Sequence, residues 1–328
     1  MKSTYNWGIL ATGKIAGKFA EGLATLPDAH KLAIGSRKLE NAQSFANQYG
    51  FERAYGSYEA LVQDPDIDII YIATPHPYHL ENTLLAIEHG KHVLCEKPLA
   101  INTSQAQQMI NAANAKGVFL MEALWSRFLP AWVQAKQWVK EGKIGQIRHF
   151  SADFSIHVAD FDPLDRKFNL ELGGSALLDI GIYPIALAYY VMEAEPIETY
   201  STAHIGSTGS DFASAYLLRY ADGAIANLNC SFEGAGPLEA IITGTKGLIR
   251  VPLFWKTQQA ILEMPFAEPE VHHLPYEATG LQHQATHVME MLRTGKKESP
   301  VMPHSETLRI HRLMDTFRAE WGLKFPNE

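Results

Sequence analysis

Short apolar runs alternate with helically spaced segments through the first 121 residues, and this alternation constrains the fold more than any other feature. Tyr5–Ala11 reads as a strand, and Lys14–Thr25 follows with Ile15, Phe19 and Leu23 at helical spacing. His30–Ser36 and Leu39–Tyr49 repeat the pair. The short strand Ala54–Tyr55 precedes a helix that Ser57 is placed to cap and Asp64-Pro65 to end. Ile67–Ala73 is continuously apolar, the pattern of a strand buried on both faces. Pro77–His89, His92–Cys95, Thr103–Lys116 and Val118–Met121 complete the series, with Gly90 and Gly117 closing the helices. Repeated strand–helix units with short connections predict an α/β fold, a doubly wound parallel sheet. A nucleotide site then belongs at the carboxyl ends of its strands.

After about Leu124 the pattern changes. Leu129–Glu141 reads as a helix, Gln146–Ile156 alternates as a strand, and Gly173–Met192 is a long helical pattern with little charge. Thr199–Met264 reads as several strands, with turns at Ala221-Asp222-Gly223 and Gly244-Thr245-Lys246-Gly247. This predicts a second, mostly antiparallel α+β domain, closed by helices Gln282–Thr294 and Ser305–Trp321. The expected division is 1–124 and 125–328, in line with 328 residues at roughly 150 per domain.

Composition removes several alternatives. A net charge of -8, from 28 basic and 36 acidic residues, disfavours a nucleic-acid partner. The charge-free run Ile180–Met192 falls short of the ~20 apolar residues that span a bilayer, and Trp7–Thr12 is too short for a signal peptide. Two cysteines, Cys95 and Cys230, make no disulfide framework. The expectation is a soluble cytoplasmic protein with no membrane partner.

Ala11-Thr12-Gly13-Lys14-Ile15-Ala16 stands between the first strand and the first helix. It is a G-x-G-x-x-G/A fingerprint with alanine in the first position. Small residues there permit a tight turn and close approach to a pyrophosphate, which the helix N–H groups then face. The second strand ends in Gly35-Ser36-Arg37-Lys38, where an NAD site would carry an acid for the ribose diol. A hydroxyl and a guanidinium can instead hold a 2'-phosphate, so NADP is expected over NAD, unless Arg37 and Lys38 are simply solvated loop charges. Thr74, Pro75, His76 and His79 after the fourth strand, and Glu96, Lys97 and Pro98 after the fifth, are expected along the same cofactor.

Together these segments resemble the Gfo/Idh/MocA family, the glucose–fructose oxidoreductase and inositol dehydrogenase group. The resemblance runs over essentially the whole chain. It rests on Glu96-Lys97-Pro98 and on the stretch from Gly173-Gly174-Ser175 through Asp179 to Tyr183-Pro184. Tyr183 stands where many members have histidine. Met121 to Phe128 and Gly244-Thr245-Lys246-Gly247 are similar to the dimeric dihydrodiol dehydrogenases, a group that includes NADP-dependent D-xylose dehydrogenases. The resemblance implies a Rossmann domain, an open-faced sheet domain and a homodimer formed through that sheet.

It also implies hydride transfer between a nicotinamide and a carbinol or carbonyl carbon of a sugar or cyclic trans-diol. Tyr183 is then the general acid/base. Its free pKa of ~10 calls for a nearby cation, which Lys97 can supply while donating to the substrate oxygen. Asp179, four residues before Tyr183 on one helical face, orients the substrate or Lys97. Trp125, Arg127, Phe154, His157 and Trp255 are candidate pocket residues, although core packing accounts for each equally well. His283 and His287 have the spacing of a zinc pair, but no third ligand stands out and no metal is expected. An NADP-binding sensor of the same fold is the alternative. The Lys97, Asp179 and Tyr183 set argues against it, because a sensor has no need of those groups.

Overall fold

The computed structural model describes residues 2–326 and 328. The chain forms two compact units, residues 1–125 with 277–308, and 126–276 with 309–328.

The first unit carries β1 (Tyr5–Leu10), α1 (Lys14–Leu23), β2 (Ala29–Gly35), α2 (Leu39–Tyr49), β3 (Arg53–Tyr55) and α3 (Tyr58–Val62). It continues with β4 (Ile69–Ile72), α4 (His79–Glu88), β5 (His92–Glu96), α5 (Thr103–Lys116) and β6 (Leu120–Ala123). Its six strands are all parallel, in the order β3-β2-β1-β4-β5-β6. The strand order reverses at β1, between β2 and β4, and such a switch point opens a crevice at the strand carboxyl ends. Caps fall where the side chains call for them. Ser57 Oγ accepts from Ala60 N–H at 3.1 Å, and Asn102 Oδ1 from Gln105 N–H at 2.9 Å. Phe19 stacks on Tyr71 with ring centroids 3.7 Å apart and meets Trp7 edge-on at 5.4 Å, each pair adding ~0.5–1.5 kcal/mol to the area it buries.

The second unit holds α6 (Pro130–Lys140), β7 (Ile147–Ser155), α7 (Ile182–Met192), β8 (Glu198–Ile205), β9 (Asp211–Arg219) and β10 (Ile225–Ser231). β11 (Glu239–Gly244), β12 (Leu248–Pro252), β13 (Gln259–Glu263) and β14 (Glu270–His273) complete its sheet. The order is β14-β13-β12-β11-β7-β10-β9-β8, antiparallel throughout except for the parallel pair β7–β10. One face buries Phe150, Leu218, Leu228 and Ile242. The other is left half-open, with Tyr200, Leu217 and Asn227 in register across three strands. α8 (Gln282–Arg293) returns to the first unit, and the division between units falls inside α9 (His304–Trp321). The return of residues 277–308 carries no change of sequence pattern like the one near Leu124.

Leu170–Met192 is long and apolar enough to cross a bilayer, where the sequence pattern offered only the shorter Ile180–Met192 run. Its window is 83% buried, so its apolar surface is spent on the protein core. The stretch is also not one regular helix. A π-turn over Leu177–Gly181 precedes α7.

Candidate active site

β1 delivers Ala11, which turns the chain with φ at 89°. That left-handed region suits glycine, and an alanine holds it at a cost of ~1–2 kcal/mol. The Ala11 N–H donates to Gly35 O at 3.0 Å. Gly13 then forms the N-cap of α1 without a side-chain cap, and a Cβ built on Gly13 would meet nothing within 4 Å. The amino end of α1 therefore opens onto free space, bordered by Thr12, Lys14 and Ile15, and fits a pyrophosphate.

At the end of β2, Ser36 is buried with its N–H on Tyr55 O at 3.0 Å, while Arg37 and Lys38 are exposed. Of this basic pair it is Arg37 that lines a cavity of about 500 Å³, together with Ser57, Tyr58, Glu59, Glu81 and Asn82. Burial raises the Tyr58 hydroxyl pKa, and the Arg37 charge works against that rise.

Two loops close this unit's site. Thr74, Pro75 and His76 lead from β4 into α4, with Thr74 and His76 buried. His79 is wholly buried, its Nδ1 2.8 Å from Pro98 O and its Nε2 2.9 Å from Thr74 O. Expected to touch the cofactor, His79 has no exposed surface and instead ties the β4 loop to the β5 loop. Burial pulls its pKa below the usual value, while the carbonyl oxygens of Pro98 and Thr74 at its two ring nitrogens work against that fall.

Tyr71 donates to Glu96, Lys97 is 8% exposed, and the Lys97–Pro98 peptide is cis. Leu99 N–H donates to Glu122 Oε1 at 2.8 Å, and Thr307 Oγ1 donates to Oε2 at 2.9 Å. Glu122 thus fixes the segment just after Lys97, a role the sequence reading missed. Its signal is a carboxylate within β6, whose other residues are apolar. Cys95 is buried and its thiol pKa is pushed well up, which suits a core residue rather than a nucleophile.

In the second unit Asp179 lies within the π-turn and Tyr183 in the first turn of α7. The i, i+4 relation of a regular helix does not apply across that turn. Arg166 Nη1 stands 3.2 Å from Asp179 Oδ1, a partner on a non-repetitive loop that no local spacing announces. Phe154 packs beside Tyr183 with centroids 5.5 Å apart and stacks on Trp255 at 4.3 Å. The structure therefore gathers Phe154, Tyr183 and Trp255, with Asp179 one π-turn ahead.

Arg127 needs correction as a pocket residue. It is 1% exposed, donates to Ala186 O and lies over the Tyr190 ring at 5.3 Å. A guanidinium taken out of water needs such partners, and α7 supplies them. Trp125 is buried in a short 3₁₀ turn. His157 is exposed, with Nδ1 3.1 Å from Glu233 O. His287 Nε2 lies 2.7 Å from Ser299 Oγ.

Residues 5–124 match the oxidoreductase family GFO_IDH_MocA, described as an NAD-binding Rossmann fold, and residues 132–250 match the GFO/IDH/MocA C-terminal domain. The chain belongs to the Gfo/Idh/MocA family. Residues 5–124 carry that family's NAD-binding Rossmann fold. Among relatives, a trans-1,2-dihydrobenzene-1,2-diol dehydrogenase of Danio rerio is 38% identical over 98% of both chains. Among solved structures, an aldose-aldose oxidoreductase from Caulobacter crescentus complexed with glycerol superposes with TM-score 0.88 and 25% identity, over 97% of this chain and 98% of that one. KijD10, a 3-ketoreductase from Actinomadura kijaniata in complex with NADP and TDP-benzene, superposes at 0.85 with 28% identity, over 96% and 97%.

Proposed function

We propose that this Gfo/Idh/MocA protein is an NADP-dependent dehydrogenase or reductase acting at a CH–OH or C=O carbon of a sugar or cyclic trans-diol. The observation that carries the reading is the braced placement of Lys97, whose following segment is held by His79 on one side and Glu122 on the other. A nucleotide sensor has no need for a lysine held so firmly. Similarity to a trans-dihydrodiol dehydrogenase over nearly the full length supports the substrate class.

Bound nicotinamide supplies the hydride donor or acceptor. The chain's own residues do the rest. Lys97 Nζ donates to the substrate oxygen, and Tyr183 Oη gives or takes the proton. Asp179, paired with Arg166, accepts from a neighbouring substrate hydroxyl. Phe154 and Trp255 offer ring faces to an apolar sugar or diol face. Ser36 and Arg37 hold the 2'-phosphate of NADP. Thr12, Gly13, Lys14, Ile15, Thr74, Pro75, His76, Glu96 and Pro98 line the rest of the cofactor path. Two copies pair through the half-open sheet face that exposes Tyr200 and Leu217, because that much apolar surface favours cover.

A screen of NADP-linked turnover over pentoses, hexoses, their keto forms and cyclic trans-diols tests the proposal. Turnover on one of these classes is expected. Tight NADPH binding without turnover on any of them would overturn it in favour of a sensor.

A further inference from the structure

Asp211, the first residue of β9, lies far from Asp179 and Tyr183 in sequence, yet it holds the turn that carries them. Its side chain is 0% exposed. Ser175 Oγ donates to Asp211 Oδ1 at 2.5 Å, and Leu177 N–H donates to Oδ2 at 2.7 Å. Ser175 passes the hold onward, since Leu178 N–H donates to its Oγ at 3.1 Å and Asp179 N–H to its backbone oxygen at 3.0 Å. The amino end of the π-turn is thereby satisfied donor by donor: Leu177 by Asp211, Leu178 and Asp179 by Ser175. Gly181 presses the far end of the same turn onto the sheet, where an added Cβ would stand 2.8 Å from Tyr216 Oη and 2.9 Å from Cys230 Sγ.

A turn starting one residue earlier or later would rotate Asp179 and Tyr183 by about 100° about the helix axis. Something must therefore fix where this turn starts, and an i→i+5 turn does not do so by local preference. Burying a carboxylate is expensive unless its oxygens are hydrogen-bonded, and here one oxygen accepts from Leu177 in the turn and the other from Ser175 just before it.

We propose that Asp211, acting through Ser175, is a positioning residue that sets the start of the π-turn and with it the aim of Asp179 and Tyr183. The inference rests on the catalytic reading of Tyr183 given above. Asp211→Ala removes both acceptors. Asp211→Asn keeps an amide oxygen for Leu177 N–H and turns its amide N–H toward Ser175 Oγ, so the turn keeps its start.

The test measures kcat, KM and NADPH affinity on folded protein for Asp211→Ala, Asp211→Asn and Ser175→Ala, with Tyr183→Phe in parallel. Displacing a reacting group by about 1 Å costs on the order of a hundredfold in rate. Asp211→Ala is therefore expected to lose about ten- to hundredfold in kcat, with NADPH affinity unchanged and Asp211→Asn restoring most of the loss. If Asp211→Ala fails to fold, Ser175→Ala carries the test with a smaller fall in kcat. Unchanged kcat per folded molecule in Asp211→Ala, or in Ser175→Ala where that variant stands in, overturns the inference. So does an Asp211→Asn rate as low as that of the alanine variant. A collapsed Tyr183→Phe beside a normal Asp211→Ala removes this inference alone, whereas a normal Tyr183→Phe removes the catalytic reading as well.

Discussion

Glu122 offers a sharp test of how Lys97 is held. Its carboxylate is 1% exposed and accepts from Leu99 N–H at 2.8 Å and Thr307 Oγ1 at 2.9 Å. Glu122→Ala strands the buried Leu99 N–H and takes the carboxylate acceptor from the buried Thr307 hydroxyl. Each loss costs about 1–3 kcal/mol, and the hydroxyl, free to rotate, lies at the low end. The sum is about 2–4 kcal/mol, which for a unit of this size lowers Tm by about 5–15 °C. Glu122→Gln keeps an oxygen for Leu99 N–H and offers an amide N–H to Thr307 Oγ1, which accepts as readily as it donates, so its cost is about 1 kcal/mol or less. Thermal unfolding followed by circular dichroism, with kcat measured on the same samples, reads both effects. The alanine variant should lose stability and rate together, and the glutamine variant should keep most of both. Equal shifts in the two variants, or an alanine variant within about 2 °C of wild type, would show that Glu122 does not hold the segment after Lys97.

Arg37→Ala should weaken NADPH about ten- to hundredfold and NADH scarcely at all, since it removes one charge-assisted contact to the 2'-phosphate of about 1.5–3 kcal/mol; equal losses for both nucleotides count against that contact. Ala11→Gly relieves the left-handed strain at φ 89° and, after the added entropy of the unfolded chain, should raise Tm by about 1–3 °C with nicotinamide affinity retained, as read by differential scanning calorimetry and fluorescence titration. A lower Tm would show that the turn is not strained.

The first unit was the more legible in sequence because its signals are local. Strand and helix periods, the Ser57 cap and the Ala11–Ala16 turn each depend on neighbours within a few residues. The second unit depends on distant pairings. The parallel pairing of β7 with β10 and the hold of Asp211 on Ser175 join residues separated by tens of positions, and no local period encodes them. Gly173–Met192 read as one helix because a π-turn adds a single residue per turn, too little to disturb an almost wholly apolar pattern. For Arg127 the sequence leaves a pocket role and core packing equally open, and only the tertiary fold decides for the core by showing α7 taking its donor. The resemblance names Lys97, Asp179 and Tyr183 as candidates, but Glu122 on the Leu99 N–H and Arg166 beside Asp179 are seen only in the fold.

In the proposed reaction Lys97 and Tyr183 handle the proton that accompanies hydride transfer. Single-turnover nicotinamide absorbance, with the substrate identified by the screen, tests it most directly in Lys97→Met and Tyr183→Phe. At least about a hundredfold loss of the transfer rate is expected in each variant, the usual scale of lost general acid–base catalysis, with NADPH affinity nearly intact. Transfer at close to the wild-type rate in either variant would contradict it.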